Sequence, residues 1–463
     1  MTNFDGLATL CIEVHRYLGG APTMTLIDLT AQSLQDRRLA TLPVAIIGAG
    51  PVGLAAAANL VERGLDFVVY EAGDEVAASI RTWGHTRLFS PWKHVVDPAS
   101  RRLLEATGWR MTAPDSLPSG AELVERYLEP LAALEPIASR IRTGVRVEAV
   151  TRRGMDRTRT ANRAATPFLL RVRTADGVDE FTARAVIDAS GTYDQPNSLA
   201  SSGLDPLGLA EVADRVTHAL PDVLGRERAR FAGRHTTVVG AGHSAANTLL
   251  ALAELAEEEP TTRVTWLIRT ASAVRVTTSE DDELVARATI GRRVDRLVAS
   301  GRIEVVDRFE TVRLGRTDAG VRLHGLRGDD LVEHETDLVV NATGFRPDLD
   351  MVREIRLDLD EVVQAPRRLA PLIDPNVHTC GTVEPHGFAE LEHPEPGFFL
   401  AGMKSYGRAP TFLLATGYEQ VRSITAWIAG DQAAARNVEL VLPATGVCST
   451  SLPAAAGSSG CCG

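Results

Sequence analysis

Two stretches of the chain carry a short apolar run, a glycine-rich turn and an alanine-rich helical pattern. In the first, apolar runs rich in β-branched residues at 44–47 and 67–70 flank a helical pattern that stops at Gly64. In the second, apolar runs at 236–239 and 264–268 flank a similar pattern. A short apolar run beside a turn is typical of a buried strand. Each stretch therefore predicts one β-α-β unit.

The turn of the first unit has the spacing of a dinucleotide-binding motif. Gly48, Gly50 and Gly53 follow the first strand. Pro51 opens the predicted helix, and Glu71 closes the second strand. The first glycine makes the tight turn, the second lets the backbone approach a pyrophosphate, and the third lets the helix pack on the strand. The helix N-terminus attracts the anion, and the acid meets a ribose hydroxyl pair. A Rossmann-like unit that binds nothing is the structural alternative.

The second unit carries the related GxGxxA form of the motif. Gly240, Gly242 and Ala245 occupy its three positions, and the following strand ends in Arg269 rather than in an acid. A guanidinium at that place suits a 2′-phosphate and favours NADPH over NADH. The alternative for Arg269 is a solvated residue at a strand end. Two such units in one chain predict two dinucleotides with hydride transfer between them.

Composition and charge narrow the class of protein. The chain has 463 residues, of which 44% are hydrophobic, and a net charge of -11. Such an acidic balance argues against binding to nucleic acid or to an anionic membrane surface, since both depend on basic patches. No stretch approaches the roughly 18 uninterrupted apolar residues of a membrane span, and the N-terminus lacks a signal-peptide pattern. We therefore expect a cytoplasmic protein.

The order of motifs resembles that of a known group of flavoproteins. GAGPVG at 48–53, DASG at 188–191, GAGHSA at 240–245, NATGF at 341–345 and GFFLAGMKSYG at 397–407 look like the two-dinucleotide-domain flavoproteins. These include flavin-containing monooxygenases, thioredoxin reductases and mercuric reductase. The resemblance implies FAD in the first site and NADPH in the second. It assigns to cofactor binding Gly48, Gly50, Pro51, Gly53, Glu71, Ser190, Gly191, Gly240, Gly242, His243, Ser244, Arg269, Thr343, Gly344 and Gly402.

The implied fold class is α/β, with two Rossmann-type dinucleotide-binding domains and a flexible C-terminal tail. The FAD domain is discontinuous, and the NADPH domain is inserted into it. The expected segments are an N-terminal extension at 1–40, FAD-domain parts at 41–195 and 345–430, the NADPH domain at 196–344, and a Cys-containing tail at 431–463.

The segment that begins at Ser79, SIRTWGHTRLFSPWKHV, bears on the branch of the superfamily. Disulfide reductases need a redox-active Cys pair beside the flavin, and this segment has none. By their place after the FAD acid, Trp83, His85 and Arg87 are the predicted catalytic residues. Around His218 the chain departs from the monooxygenase fingerprint FxGxxxHxxx(Y/F), which puts the ordinary substrates of those enzymes in doubt. GHTRLFSPWKHV, LIDPNVHTCGTVEPHG and KSYGRAPTFLLATGYEQVRS look more like the flavoprotein monooxygenases encoded in bacterial arsenic-resistance operons.

Two adjacent cysteines near the C-terminus, Cys461 and Cys462, suggest a soft-metal site. Thiolates prefer soft ions such as trivalent arsenic or mercury, and Cys448 and Cys380 are further candidate ligands for a metalloid substrate. A mobile terminal Cys pair also resembles that of mercuric reductase. The alternative is a disordered terminus with incidental thiols. No resident metal is expected, because the His and Cys spacing around Cys380 matches no common zinc pattern.

We therefore expect a monooxygenase that uses FAD, NADPH and O2 to oxidise a soft nucleophile, with trivalent arsenic as the suggested substrate. One alternative is an NADPH-dependent reductase whose terminal thiols pass electrons to a disulfide or a thiophilic metal ion. The other is a non-catalytic flavoprotein that binds metalloid or senses redox state. The expected partners are a small-molecule or metalloid substrate and O2, and the resemblance favours a homodimer.

Overall fold

The computed structural model describes residues 39–271, 285–374, 385–410 and 412–440. Its strands are β1 (Val44–Ile47), β2 (Phe67–Tyr70), β3 (Ile141–Arg142), β4 (Arg146–Arg152), β5 (Phe168–Thr174), β6 (Gly177–Ala183), β7 (Ala185–Asp188), β8 (Val216–His218), β9 (His235–Val239), β10 (Arg263–Leu267), β11 (Glu304–Val306), β12 (Glu310–Arg316), β13 (Val321–Arg327), β14 (Asp330–Thr336), β15 (Leu338–Asn341) and β16 (Phe398–Leu400).

The α-helices vary from single turns to the long helices that cover the sheets. They are α1 (Pro51–Glu62), α2 (Ala78–Thr82), α3 (Trp92–Val95), α4 (Pro98–Ala106), α5 (Gly120–Leu123), α6 (Glu129–Ala132), α7 (Glu135–Ala138), α8 (Arg228–Phe231), α9 (His243–Glu258), α10 (Val285–Ala299), α11 (Ala370–Ile373), α12 (Leu414–Ile428) and α13 (Gln432–Arg436). A π-helical turn spans Val124–Leu128, and 3-10 turns span Leu209–Arg215, Asp350–Val352, Phe388–Leu391 and Gly402–Tyr406.

The first parallel sheet is built from both ends of the chain. Its strand order is β16-β7-β1-β2-β3. The strand order reverses at β1, which has β2 on one side and β7 on the other. The late strand β16 pairs in parallel with β7, so the chain returns to this sheet after more than 200 residues. Helices α1 and α12 pack together on the sheet and belong to its main core.

The second parallel sheet repeats this plan within the middle of the chain. Its order is β11-β10-β9-β15-β8, with the reversal between β10 and β15 on either side of β9. Its central strands β9, β10 and β15 are largely buried, and helix α9 covers them. In a doubly wound sheet the reversal opens a crevice at the carboxyl ends of the strands, where ligands bind. The structure confirms the predicted α/β fold with two Rossmann-type units.

Each parallel sheet is accompanied by a three-stranded antiparallel sheet. β4-β5-β6 belongs to the first part of the chain and β12-β13-β14 to the middle part. Where the chain leaves and re-enters the first part, Pro196 and Phe345 form an isolated antiparallel bridge. The predicted boundaries at 195/196 and 344/345 fall at this double crossing.

Residues 431–440, expected to belong to the tail, are part of the described structure. Asp431 caps helix α13 by accepting a hydrogen bond from the Ala434 N–H, and Glu439 N–H donates to Glu419 Oε1 at 3.0 Å. Residues 431–440 therefore pack on α12, because their backbone groups find partners there. The N-terminal extension up to residue 38 and residues 441–463 lie outside the described residues. Among the helices of the described residues, none has the length and apolar character needed to cross a membrane.

Candidate functional site

The glycine loop between β1 and α1 has the geometry that its sequence predicts. Gly48 has φ +96°, and a Cβ there would lie 2.8 Å from the Ala189 carbonyl oxygen. A Cβ on Gly53 would lie 1.9 Å from the Gly48 oxygen. At Gly50, by contrast, a Cβ would meet no atom within 4 Å. The loop is therefore closed around the first and third glycines and open at the second, where a pyrophosphate approaches the backbone.

The anion end of α1 is set up by the same residues. Gly50 is the N-cap residue and offers no side-chain acceptor, and Pro51 occupies the first turn with its fixed φ. The free N–H groups of the first turn and the helix dipole therefore remain available to a phosphate. Gly402 approaches this turn from the C-terminal segment. Its φ is +68°, its N–H donates to Gln420 Oε1 at 2.8 Å, and a Cβ there would lie 3.2 Å from Val52.

Glu71 holds the loop as well as facing the ligand position. Its carboxylate accepts hydrogen bonds from the Ala49 N–H at 2.7 Å and the Gly73 N–H at 2.9 Å. A carboxylate has about four acceptor sites, so two remain for the hydroxyl pair of a ribose. The residues of this first site therefore fit a dinucleotide.

Matching turns follow the strands beside the two glycine loops. After β7, Asp188 Oδ1 accepts hydrogen bonds from the N–H and the hydroxyl of Ser190, at 3.1 and 2.7 Å. After β15, Asn341 Oδ1 accepts from the N–H and the hydroxyl of Thr343, at 3.3 and 2.7 Å. The glycines that come next, Gly191 and Gly344, have φ of +72° and +96°. The DASG and NATG motifs are thus the same structural device at the two switch points.

The second glycine loop repeats the first with one addition. Gly240 has φ +128°, and a Cβ there would lie 2.2 Å from the Ala342 oxygen. Gly242 is the N-cap of α9, and its Cβ position is open. Ala245 is fully buried at the third position. Trp266 Nε1 of the neighbouring strand β10 donates a hydrogen bond of 2.6 Å to the Gly240 carbonyl oxygen and so stabilises the turn.

A cleft of about 530 Å³ lies at the carboxyl ends of the second sheet. Its lining includes Gly240, Gly242, His243, Ser244, Arg269, Thr343 and Gly344 from the predicted NADPH site and neighbouring turns. Arg346 and Arg408 line it as well, whereas no described residue of the lining is an Asp or a Glu. In a chain of net charge -11, a cleft with three guanidinium groups and no carboxylate is built for an anion.

Both parallel sheets contribute to this cleft. Met403 and Arg408 reach it from the segment that follows β16 of the first sheet. Two hydrogen bonds of 2.6 Å hold Arg408 in place. Its backbone N–H donates to the Val363 carbonyl oxygen, and its side-chain Nε donates to Gln364 Oε1. On the other side the ring of Phe89 lies 5.1 Å from that of His243. The second glycine loop therefore lies beside residues of the part of the chain that builds the first sheet.

The three predicted catalytic residues lie apart from the lining of the cleft. Trp83 is half-buried, and its ring would lie 2.9 Å from a Cβ on Gly120. Arg87 is exposed, donates to the Leu117 oxygen and lies 3.6 Å from Glu122. Their positions indicate packing and surface roles, and their catalytic role stays a prediction.

His85 is exposed and lies near Asp222 of the middle part of the chain. Burial raises the pKa of Asp222, but the Arg226 N–H and the charge of His85 outweigh this effect and hold the pKa below its ordinary value. The structure thus gives His85 an electrostatic contact between the two parts of the chain.

The cysteines predicted to bind metalloid, Cys380, Cys448, Cys461 and Cys462, lie outside the described residues, as does Cys11. Within the described residues no group of three His, Cys, Asp or Glu side chains could hold a metal ion.

The family model described as pyridine nucleotide-disulphide oxidoreductase matches residues 45–367. The chain belongs to this family. The matched residues contain both glycine loops and the whole second sheet.

Individual relatives point to several activities within this family. The ferredoxin–NADP reductase of Gluconacetobacter diazotrophicus is 29% identical over 298 residues, which are 64% of this chain and 66% of that protein. A flavin monooxygenase from Stenotrophomonas maltophilia, solved as a double-substituted variant, is 26% identical with a TM-score of 0.52 over 84% of this chain and 99% of its own. The bacillithiol disulfide reductase of Bacillus cereus is 19% identical with a TM-score of 0.62 over 84% and 99%, and supports the fold alone.

Sequence reasoning missed several site residues. Arg346 and Arg408 line the cleft, and Lys404 lies buried against Asp188. A signal was present for Lys404, because Lys93 and Lys404 are the only lysines of the chain. Arg346 and Arg408 come directly after the NATGF and GFFLAGMKSYG motifs, but nothing in those motifs shows that both side chains line the cleft of the second sheet.

Proposed function

We propose that this protein is an FAD- and NADPH-dependent flavoprotein monooxygenase that oxidises a soft nucleophile. The observation that carries the proposal is the arginine-lined cleft of the second unit, which opens toward the 402–410 segment of the first. Such a placement would suit hydride transfer from a nicotinamide cofactor in the second site to a flavin in the first. FAD, when bound, accepts the hydride of NADPH and uses O2 to oxidise the substrate.

The residues of the first site hold the FAD. The N–H groups at the start of α1 bind its pyrophosphate, because Gly50 leaves the backbone open there. Glu71 accepts hydrogen bonds from the adenosine ribose while it keeps the glycine loop closed. The Gly402 turn, buried against Val52, excludes water from this end of the site.

The residues of the second site bind and orient the NADPH. Gly242 and the first turn of α9 receive its pyrophosphate, and Arg269 pairs with its 2′-phosphate. Arg346 and Arg408 add positive charge on the opposite wall, so the cofactor is held from both parts of the chain.

Two observations favour monooxygenase over disulfide reductase. The sequence contains no CxxC or CxxxxC pair that could stand beside the flavin. A flavin monooxygenase is 26% identical to this chain, against 19% for the bacillithiol disulfide reductase. Trivalent arsenic is the first substrate to test, because the motif resemblance and the thiophilic Cys461–Cys462 pair both suggest it.

The test is NADPH oxidation by the FAD-loaded protein in air, with and without arsenite. Oxygen uptake and pentavalent arsenic are followed in the same samples. We expect arsenite to stimulate turnover, with one O2 consumed for each pentavalent arsenic formed. If arsenite gives no stimulation while an organic nucleophile does, the arsenic assignment is wrong and the monooxygenase stands. If no nucleophile stimulates oxygen uptake, the monooxygenase is wrong as well.

A second candidate function is an NADPH-dependent reductase, which the relationship to a ferredoxin–NADP reductase favours. Such an enzyme reduces a protein or chemical acceptor under anaerobic conditions without a nucleophilic substrate. Replacing Cys461 and Cys462 together by Ser separates the two functions further. The double variant should lose electron transfer to a disulfide or metal ion if the thiols export electrons. It should only raise the apparent KM for arsenite if they hold the substrate. A flavoprotein without NADPH turnover under either condition would be non-catalytic.

A further inference from the structure

An ion pair lies buried behind the first glycine loop. Lys404 Nζ is 2.7 Å from Asp188 Oδ2, and the two side chains are 2% and 0% exposed. The ammonium also donates a hydrogen bond of 3.1 Å to the Ser190 hydroxyl. Asp188 Oδ1 accepts hydrogen bonds from the backbone N–H and the side-chain hydroxyl of the same Ser190. These three residues form one closed polar cluster.

The cluster touches the dinucleotide loop directly. A Cβ on Gly48 would lie 2.9 Å from the Ser190 Cα, so Ser190 stands against the tight turn of the loop. Lys404 belongs to the 3-10 turn that begins at Gly402, and Gly402 stands against Val52 in the first turn of α1. The ion pair therefore connects two walls of the site at which the FAD pyrophosphate arrives.

The choice of lysine here is unusual for this chain. Lysine and arginine together number 49, and only Lys93 and Lys404 are lysines. A compact ammonium group fits between Asp188 and Ser190, where a planar guanidinium would need more room. Among the described residues, Asp188 and Ser190 account for two of its three N–H groups.

We propose that Lys404 is a positioning residue for FAD, with Asp188 as its counter-charge. The proposal rests on the FAD binding stated under Proposed function. The ammonium group stabilises an anion in the glycine loop, and the Asp188 carboxylate holds the ammonium beside Ser190. Neutralising the two partners should therefore have different effects on FAD affinity. K404M leaves a buried negative charge behind the anion site, whereas D188N leaves a positive one.

The experiment measures the dissociation constant of FAD by flavin fluorescence for the apo-protein and its variants K404M, D188N and K404M/D188N. A mildly alkaline buffer keeps the unpartnered carboxylate of K404M ionised. ADP, which carries the pyrophosphate without the flavin, serves as the competing probe. We expect K404M to weaken FAD and ADP binding about tenfold or more, and D188N to stay within about threefold of the unsubstituted protein. The double variant should regain affinity relative to K404M.

A purely structural role makes the opposite prediction, since both single variants break the same hydrogen-bonded cluster. Equal losses of FAD affinity in K404M and D188N, or no loss in either, would overturn the proposal. If K404M does not fold, the double variant replaces it: FAD binding about tenfold weaker than in D188N supports the proposal, and equal binding in the two overturns it. Failure of the unsubstituted protein to bind FAD would instead overturn the proposed function, and the positioning role with it.

Discussion

At the scale of single residues, we expect the preference for NADPH over NADH to depend on Arg269. It is exposed just after β10 and lines the cleft beside Thr270. Position along the strand decides its role. Arg263 is also exposed, but it begins β10 and lies opposite His235 of β9, at the other end of the strand.

Replacing Arg269 by Gln should raise the KM for NADPH by one to two orders of magnitude, about the value of a lost charge-assisted contact to phosphate. The KM for NADH should stay unchanged, because NADH lacks the 2′-phosphate. Steady-state NADPH and NADH oxidation check this, with Arg263→Gln as the matched control. An equal effect on both nucleotides would contradict the assignment of Arg269 to the 2′-phosphate.

At the scale of structural elements, two strand–turn–helix units share one design. In both, the first glycine has positive φ and stands against the turn after the neighbouring strand. In both, the second glycine has ordinary φ and free space around its Cβ position. The second glycine is thus not required by the fold of the loop, which leaves ligand approach as its physical reason.

Gly50→Ala and Gly242→Ala should therefore leave the unfolding free energy of the apo-protein nearly unchanged. Gly50→Ala should weaken FAD binding, and Gly242→Ala should weaken NADPH binding, each by about tenfold or more, because the methyl group occupies the space of the pyrophosphate. Each variant is the control for the other. Binding titrations of both cofactors and denaturant unfolding measure the effects. Loss of stability without loss of binding would show that the second glycine serves the fold.

At the scale of the whole molecule, a buried ionic cluster joins distant parts of the chain. Glu395 lies 2.8 Å from both Arg152 and Arg163, and all three side chains are at most 4% exposed. Arg152 also stands 3.6 Å above the Phe168 ring. Burial raises the pKa of Glu395, but the two guanidinium groups outweigh it and hold the pKa below its ordinary value. The cluster fastens the segment before β16 to the β4-β5-β6 sheet.

Glu395→Gln should lower the free energy of unfolding by about 3–5 kcal/mol, because it leaves two buried guanidinium groups without a counter-charge. Glu392→Gln is the matched control. Its partner Arg368 is 66% exposed, so its loss should cost less than about 1 kcal/mol. Denaturant unfolding of the apo-protein compares the two, and similar losses would contradict the role given to the buried cluster.

The pH dependence of stability is also a property of the whole molecule. Burial lowers the pKa of His235 and of His393 to about 4, and burial lowers that of His334 as well. Between pH 4 and 6.5 the unfolded chain then binds more protons at these residues, so stability falls as the pH falls. Burial raises the pKa of Asp97 to about 6, which opposes this effect between pH 3.8 and 6. Burial also raises the pKa of Asp295. Three histidines against these two carboxyl groups predict a net loss of stability on acidification.

His393→Leu should reduce the pH dependence of the unfolding free energy in this window by up to about 1.4 kcal/mol per pH unit. Within the described residues the Nε2 of His393 is buried without a hydrogen-bond partner, so protonation there is costly. Denaturant unfolding at several pH values measures the slope. His218→Leu, at an exposed position of β8, should leave it unchanged. An unaltered slope in His393→Leu would contradict the assignment.

Much of the fold follows from local pattern. The apolar runs and glycines predicted both β-α-β units, because strand, turn and helix lie within about 30 residues and each requires particular residue types. The pattern did not predict the edge strand β6, because its residues are nearly all exposed and show no apolar face. The local sequence did not predict helix α13, because the segment is stabilised by hydrogen bonds to α12, and the local sequence does not reveal them.

The sequence by itself determined the two dinucleotide units, their glycines and the place of Arg269 at a strand end. Only the tertiary structure decided that Arg408 joins Arg269 in one cleft and that Lys404 meets Asp188, more than 200 residues away. It also placed Trp83, His85 and Arg87 apart from the residues that line that cleft. The physical reason is that a motif encodes backbone conformation over a few residues. The meeting of two side chains depends on which strand the returning chain pairs with, and here β16 pairs with β7.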